Sequence, residues 1–529
     1  MLLLSNRYFT KSNVINWIVL LIISIYSVLN FWGVERNLPY IPEVDEQHFF
    51  VERAIRMAST GDLNPGWFGH PGSTVIYPLT AVYYVRYLLL DGSLSSVSGS
   101  ELSKVYDENP SELYLAGRLI SIFYAILSIP FIYLVGRNAF NARVGLLGTW
   151  LFILYPLVIY HNQYIRTDSA AIFWGMLSLW LCIRIYNNPS IWNQLFAGFS
   201  IGLSIASRYF MVSLIPVLLI VNGKLFFESA TSKKNFLLSM LVGLLAVCLG
   251  FTLSTPYFFL DSNTAIADLR NEAREFHLGA DGLSRFGNFR WYLLFAFPRS
   301  ITWPQWILTI AGILIIIYRK LFLQVLLLGF VIIYLIGISI SGLHWQRWII
   351  PILPMIAIFC SQAVIFGVEV LAKKLQFKPS TRNGLLIILV FILSAYPASQ
   401  LIMMDLRHSN PSTRVIAREW IIANLPERSK IAQEWYTAPL NDTDYFVDEW
   451  FSLAYHAIDF DVYLQEGYDF LVVSDRIYKR FFNEPDRYRN EVKFYTDLFG
   501  KSQLLFTIEP SKTVGGPIIR VYKLVHTGG

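Results

Sequence analysis

Charged residues are scarce in this chain: of 529 residues, 15% are Asp, Glu, Lys or Arg, while 54% are hydrophobic. That balance excludes an ordinary water-soluble globule, in which about a quarter of residues carry charge, and the mean hydropathy of +0.46 agrees. Cysteine is nearly missing as well. Cys182, Cys248 and Cys360 all fall inside apolar runs, which leaves no disulfide framework and no thiolate metal signature. Internal repeats and low-complexity tracts are absent, which speaks against the repeated halves common in secondary transporters. No small-residue cleavage site follows the first apolar run, so it reads as a retained signal anchor.

What is abundant is long apolar sequence. Runs near the roughly 20 residues needed to cross a bilayer recur at 14–32, 115–136, 144–161, 169–186, 194–207, 209–227, 236–255, 305–318, 321–341, 348–370 and 384–403. They predict a polytopic α-helical membrane protein with about eleven transmembrane helices. The stretch 194–227 reads either as one helix broken at Arg208 or as two short ones. Lysine and arginine cluster in alternate connections, among them Arg7 and Lys11, Arg137 and Arg143, Lys233 and Lys234, Arg319 and Lys320, and Lys373 to Arg382. By the positive-inside rule these lie in the cytoplasm. The N-terminus is then cytoplasmic in a plasma or inner membrane, and the loops 33–114 and 256–304 and the tail after 404 are extracytoplasmic. The net charge of +6 is accounted for largely by the inward connections and calls for no nucleic-acid partner.

After residue 403 the hydropathy falls. Thr413 to Leu425 has helical spacing and stops at Asn424 to Pro426. KIAQEWYT, YDFLVVSD, LLFTIEP and IIRVYKLV read as strands, giving a small soluble α/β domain over 404–529. The expected division is a transmembrane domain over 1–403, with an outward catalytic loop at 33–114 and a second outward loop at 256–304, followed by that extracytoplasmic domain.

Two adjacent acids, Asp45 and Glu46, stand where the chain leaves the first span, in IPEVDEQHFF. Arg166 and Asp168 occupy the next outward corner, YHNQYIRTD. Arg118 opens the second span, Arg208 interrupts ASRYF, and Arg347 sits in HWQRW. Ionisable groups at a membrane edge face a cavity or a partner, because leaving them unpaired in lipid is costly. A single interfacial ion pair or a snorkelling arginine explains any one of them. Arginines gathered at one face with acids opposite point instead to an anion site, and a lipid-linked phosphate fits both the guanidinium forks and the apolar surroundings. A carboxylate beside an acceptor hydroxyl removes its proton as the oxygen attacks, and guanidiniums stabilise the departing phosphate. Because that leaving group needs no dedicated proton donor, one carboxylate suffices, and in-line attack inverts the anomeric centre.

The pieces VDEQHF with TGDLNPGWFGHPG, AGRLIS, YIRTDSAAIF, GLSIASRYF, STPYFFLD, HWQRWIIPILP, AREWIIANLP and YDFLVVSD, in this order, resemble the C-fold (GT-C) membrane glycosyltransferases. The likeness is to the protein O-mannosyltransferase and aminoarabinose-transferase type, which uses polyprenyl-phosphate sugars. That resemblance implies a lipid-linked monosaccharide donor, an acceptor hydroxyl on a lipid, glycan or protein, and a catalytic acid carried here by Asp45. It also implies that Glu46, Asp168, Arg118 and Arg208 line the cavity. The 256–304 loop lacks room for the large sugar-binding insert of the mannosyltransferase branch, and the tail lacks the double-tryptophan acidic signature of oligosaccharyltransferases, which speaks against transfer of a whole oligosaccharide.

His70, in the turn WFGHPG, is a candidate for presenting its ring to the cavity. His48 reads as structural. Trp67, Phe68 and Tyr77 are expected to seat their loop in the membrane interface. Asp45, Glu46, His48, His70 and Asp168 could supply some ligands to a divalent metal but match no specific metal signature, so no cofactor is expected. The competing class is a transporter or flippase of a lipid-linked saccharide, whose binding charges would sit near the bilayer midplane; here they gather at one edge.

Overall fold

The computed structural model describes residues 11–40, 43–91, 105–228, 233–457 and 459–525. These form two compact units, one from the described residues of 1–34 and 43–401, the other from those of 35–42 and 402–529.

Every apolar run singled out in the sequence is helical. In chain order the long helices are α1 (Lys11–Phe31), α2 (Ser73–Asp91), α3 (Ser111–Ala139), α4 (Ala142–Phe152), α5 (Pro156–Asn162), α6 (Asp168–Asn187), α7 (Ile191–Ser207), α8 (Leu214–Glu228), α9 (Lys233–Ser254), α10 (Trp303–Arg319), α11 (Phe322–Ile340), α12 (Leu353–Lys374) and α13 (Pro379–His408). Among the described residues, eight helices are long and apolar enough to cross a membrane, or nine if α4 and α5, bent by 65° at their junction, make one span. The expected eleven is therefore not reached by length and composition. Seventeen residues each, α7 and α10 extend about 26 Å, short of a hydrocarbon core about 30 Å thick. Helix α2 was not expected at all. It lies inside the predicted outward loop 33–114, where Thr80, Tyr83, Tyr84 and Arg86 break the apolar run that would have announced it.

Small residues set some of the closest helix contacts. A side chain at Gly198 would meet the Gly243 carbonyl at 2.0 Å and one at Gly202 the Val247 carbonyl at 2.4 Å, so α7 and α9 pack backbone to backbone, as glycine-lined membrane helices do. Helix α7 ends at Ser207, and Arg208 follows with extended backbone (φ −156°, ψ 121°) before a short 3₁₀ turn leads into α8. The break at Arg208 is real, and it sets the direction of that side chain.

The second unit carries a five-stranded mixed sheet of β1 (Lys430–Glu434), β2 (Phe446–Trp450), β3 (Phe470–Ser474), β4 (Gln503–Ile508) and β5 (Ile519–Lys523), in the order β2-β1-β3-β5-β4. Strands β1, β2 and β3 run parallel, and β5 is antiparallel to both β3 and β4. Helix α14 (Thr413–Asn424) lays Ala417 and Ile421 on Ile431, Val472, Ile519 and Val521. The four strands and the helix expected from the sequence are present. The fifth strand, β2, was missed because it is a largely solvent-exposed edge strand with the sequence FVDEW, and neither an apolar run nor a clean alternation marks such an edge.

Glu434 is one of the wholly buried acids of this unit. Glu434, at the end of β1, accepts hydrogen bonds from the Tyr495 hydroxyl, Ser474 N–H (3.0 Å) and Leu453 N–H (3.3 Å). Burial pushes its carboxyl up to about 7, with those hydrogen bonds opposing the shift. Protonation is therefore tighter in the folded than in the unfolded unit, so this group's contribution to stability is complete below pH about 4.5 and is lost as pH rises through about 7. Thermal melts of the full chain, followed by proteolysis of the C-terminal unit, are expected to show falling stability across that window. In Glu434→Gln that slope should flatten.

Candidate functional site

The acid pair sits on one short helical turn, Val44–Glu46, closed by Gln47 N–H donating to the Glu43 carbonyl at 3.0 Å. Successive residues on a helix diverge by about 100°. Asp45 and Glu46 consequently enter different surroundings.

Glu46 points into protein. Its side chain is fully buried and takes both arms of Arg118, Nε at 3.0 Å and Nη2 at 2.8 Å, plus the Ile165 N–H at 2.7 Å. Arg118 is equally buried; its Nη1 donates to the Val34 carbonyl at 2.7 Å, and its guanidinium lies 5.3 Å from the Tyr164 ring centre. The pair thus ties the end of the first span, the acid-bearing turn, α3 and the corner before α6 into one block. Gly117 permits the approach, since a Cβ there would stand 2.4 Å from the Ile165 side chain.

Asp45 points the other way and keeps a 28% exposed side chain. One carboxylate oxygen receives Nη1 of both Arg166 and Arg347, the latter at 2.9 Å. Arg166 also donates Nη2 to Glu43 at 3.1 Å, and its backbone N–H is held by Ser121 Oγ at 3.1 Å. Burial alone would raise the Asp45 carboxyl; the Arg166 and Arg347 guanidiniums outweigh it and hold Asp45 well below the usual carboxylate range.

Beside this lies a second pair, Arg208 Nη1 on Asp168, the first residue of α6. Its neighbours are pinned: Ser207 Oγ shares a 2.7 Å hydrogen bond with Thr74 Oγ1, and the Tyr209 hydroxyl donates to the Phe68 carbonyl at 2.8 Å. The loop so held presents His70. Burial, then the positive charges of Arg347 and Arg208, push this imidazole well below its ordinary value, and Asp45 opposes the shift. His70 is therefore a neutral ring among cations. Its Nε2 is buried with no hydrogen-bond partner, as are Nε of Arg166, Arg208 and Arg347. Four unused nitrogens around one acid make a constellation suited to oxygen-rich anions.

Of the residues expected at the site, Asp45, Arg166, Asp168, Arg208, Arg347 and His70 come together. Glu46 and Arg118 lie behind them, each satisfied by the other. His48 stays outside, paired with Glu52 at 3.0 Å on an exposed face. Phe68 is not an interface residue, since it is fully buried, and Trp67 stacks on Phe49 (4.1 Å between ring centres) and makes a T-shaped contact with His70 (4.6 Å). Sequence reasoning missed Glu43, whose only signal was its position two residues before Asp45. It also missed His161, buried with Nδ1 unpartnered within electrostatic reach of Asp45, Arg166 and Arg347. Among the described residues no group of three or more His, Cys, Asp and Glu converges as metal ligands would.

Residues 112–252, from the start of α3 to the end of α9, match the family model described as dolichyl-phosphate-mannose-protein mannosyltransferase. No curated protein sequence matches the chain. In structure it is similar to the oligosaccharyltransferase of Archaeoglobus fulgidus tethered to an acceptor peptide (TM-score 0.51, 12% identity, 96% of this chain and 74% of that one). The same archaeal enzyme, AglB, in complex with an inhibitory peptide and a dolichol-phosphate aligns at TM-score 0.50 with 14% identity, over 95% of this chain and 74% of that one. ArnT from Cupriavidus metallidurans bound to undecaprenyl phosphate aligns at TM-score 0.49 and 14% identity, over 96% of this chain and 98% of that one. An apolar helical unit, a small C-terminal sheet domain and the two alignments to the archaeal enzyme give the chain the C fold of the membrane glycosyltransferases, the fold its sequence motifs resemble.

Proposed function

We propose that the protein is an inverting glycosyltransferase. It moves a monosaccharide from a polyprenyl-phosphate-linked donor to an acceptor hydroxyl of a lipid, glycan or protein on the extracytoplasmic face of the membrane. The observation that carries this reading is the double grip on Asp45: a partly exposed carboxylate held by two arginines, with three arginine Nε atoms and His70 Nε2 left without acceptors. Leaving buried donors unmatched costs about 1–3 kcal/mol each, and phosphate oxygens match them. The dolichol-phosphate in the AglB complex and the donor named by the matching family are of the same chemical class.

In this reading the donor phosphate lies against Arg166, Arg208 and Arg347. Their guanidiniums are then shared between phosphate and Asp45, so the pull that keeps Asp45 weakly basic relaxes as the donor arrives. One Asp45 oxygen takes the proton of the acceptor hydroxyl. The freed oxygen attacks the anomeric carbon from the side opposite the phosphate, the new C–O bond forms, and the old one breaks with its electron pair on the phosphate oxygen. Polyprenyl phosphate leaves with its charge on the arginines, and the anomeric centre inverts. His70, neutral, hydrogen-bonds to sugar or phosphate without adding charge. Glu46 and Arg118 act as a positioning pair that sets the angle of the Asp45 turn.

Asp45→Asn is expected to lower turnover with a polyprenyl-phosphate sugar by about 10²–10⁴-fold at unchanged expression and insertion. Near-normal turnover would remove Asp45 as the base. Glu46→Gln strips the charge facing buried Arg118 and should cost about 3–5 kcal/mol of stability, seen as a lowered melting temperature in detergent. In Arg208→Ala, KM for the donor should rise more than KM for the acceptor; equal rises would deny Arg208 its phosphate. Because Arg166 and Arg347 hold the Asp45 carboxyl low, the acid limb of kcat/KM for the wild type lies below the ordinary carboxylate range. Arg347→Gln should move that limb to higher pH, and an unmoved limb would separate Asp45 from the titration.

A further inference from the structure

The outward loop at 256–304 ends in a helical stretch, Arg285–Trp291, Tyr292–Ala296 and Phe297–Ile301, in which the middle five residues form a π-turn. Its two faces differ sharply. Asn288, Tyr292, Ala296, Phe297 and Ser300 are buried, whereas Arg285, Phe286 (75% exposed), Arg290, Leu294 (58%), Phe295 and Arg299 face outward. The extra residue of the π-turn keeps this stripe on one side: outward positions fall at 286, 290, 294, 299 and then Trp303, the first residue of α10. Helix α10 itself exposes Ile307, Ile310, Leu314 and Ile317, the apolar face of a helix with its side to lipid. The stripe is the sequence continuation of that face, with an arginine in nearly every turn.

The charges are of one sign. Between Asp281 and Glu369 the chain contains no acidic residue, and none of Arg285, Arg290 and Arg299 pairs with a carboxylate among the described residues. Arg299 lies 4.8 Å from the Phe295 ring centre, and Phe286 and Leu294 stand beside arginines along the stripe. Aromatic and aliphatic groups interleaved with guanidiniums on one face suit the boundary between acyl chains and anionic headgroups.

We propose that the outward face of residues 285–303 docks on anionic phospholipid headgroups of the surrounding leaflet, with Arg285, Arg290 and Arg299 on the headgroup phosphates and Phe286, Leu294, Phe295 and Trp303 in the acyl boundary. The inward face of the same stretch holds the connection that carries Arg347. Asn288 Nδ2 donates to the Ser341 carbonyl at 2.8 Å, the Tyr292 hydroxyl accepts from Trp345 N–H at 3.3 Å, and Ser300 Oγ accepts from Gln346 Nε2 at 2.9 Å. Lipid bound outside therefore stiffens a segment attached to the connection that bears Arg347.

The test uses the full chain in nanodiscs of phosphatidylcholine with and without phosphatidylglycerol, read by hydrogen exchange over 285–303. Protection should rise in the anionic discs, fall with added salt, and disappear in Arg285→Gln/Arg290→Gln/Arg299→Gln while surviving in the corresponding triple lysine variant. Should the triple glutamine variant fail to fold, Arg290→Gln and Arg299→Gln taken singly should each weaken the phosphatidylglycerol response about fivefold. Equal exchange in both discs, or an undiminished response in the glutamine variants, overturns the proposal. So does equal protection from inorganic phosphate in neutral discs, which would make the stripe a site for free anions. No arm depends on glycosyl transfer, so failure here leaves the proposed reaction standing, and the reverse.

Discussion

The buried Glu46–Arg118 pair is the constraint on which the candidate site depends. Taking two charges out of water is expensive, and the cost is offset only where every arm is matched. Here the carboxylate takes both arginine arms and a backbone N–H, while the third guanidinium nitrogen finds the Val34 carbonyl. Four separate stretches of chain meet at this point, so the turn bearing Asp45 has little freedom to rotate. A neighbouring acid one step along a helix then necessarily looks elsewhere, toward Arg166 and Arg347. The adjacency of the two acids divides labour between them: one fixes the turn and the other meets the paired arginines.

The cluster itself is charge-balanced in a particular way. Glu43, Asp45 and Asp168 face Arg166, Arg208 and Arg347, yet the carboxylates engage only the terminal nitrogens of the guanidiniums. Because each guanidinium offers five N–H donors in a fixed fork, pairing with acids leaves capacity for an additional oxyanion. The acids keep the arginines in place at low cost, and the unused Nε atoms retain the ability to bind.

Much of this was legible in the chain. The apolar runs announced every helix that carries them, and the interruption at Arg208 announced its own bend. The charges Asp45, Arg166, Asp168, Arg208 and Arg347 stood out because charge is rare in such a sequence, and they do converge. What was not legible follows from geometry. That Glu46 faces away from Asp45 depends on one helical turn too short to leave a periodic signal. Helix α2 was hidden by its own tyrosines and arginine, and β2 by its exposure. Phe68 looked like an interface aromatic because composition does not distinguish a ring at the lipid boundary from one folded beneath a loop. Glu43 and His161 matter only through partners far away in the sequence, which local reading does not supply.

Those distances have a consequence for how the membrane unit is made. Arg208 follows Asp168 by 40 residues and Arg166 follows Asp45 by 121, but Arg347 follows Asp45 by 302. In a chain made from its N-terminus the partners of the earlier pairs are both present before the last guanidinium, which lies beyond α11. Until residue 347 is made, Arg166 is the one arginine partner of Asp45 that the chain contains. The site needs the chain through residue 347: one cut short before it possesses the acid, its turn and the buried pair behind it without the second arginine on Asp45.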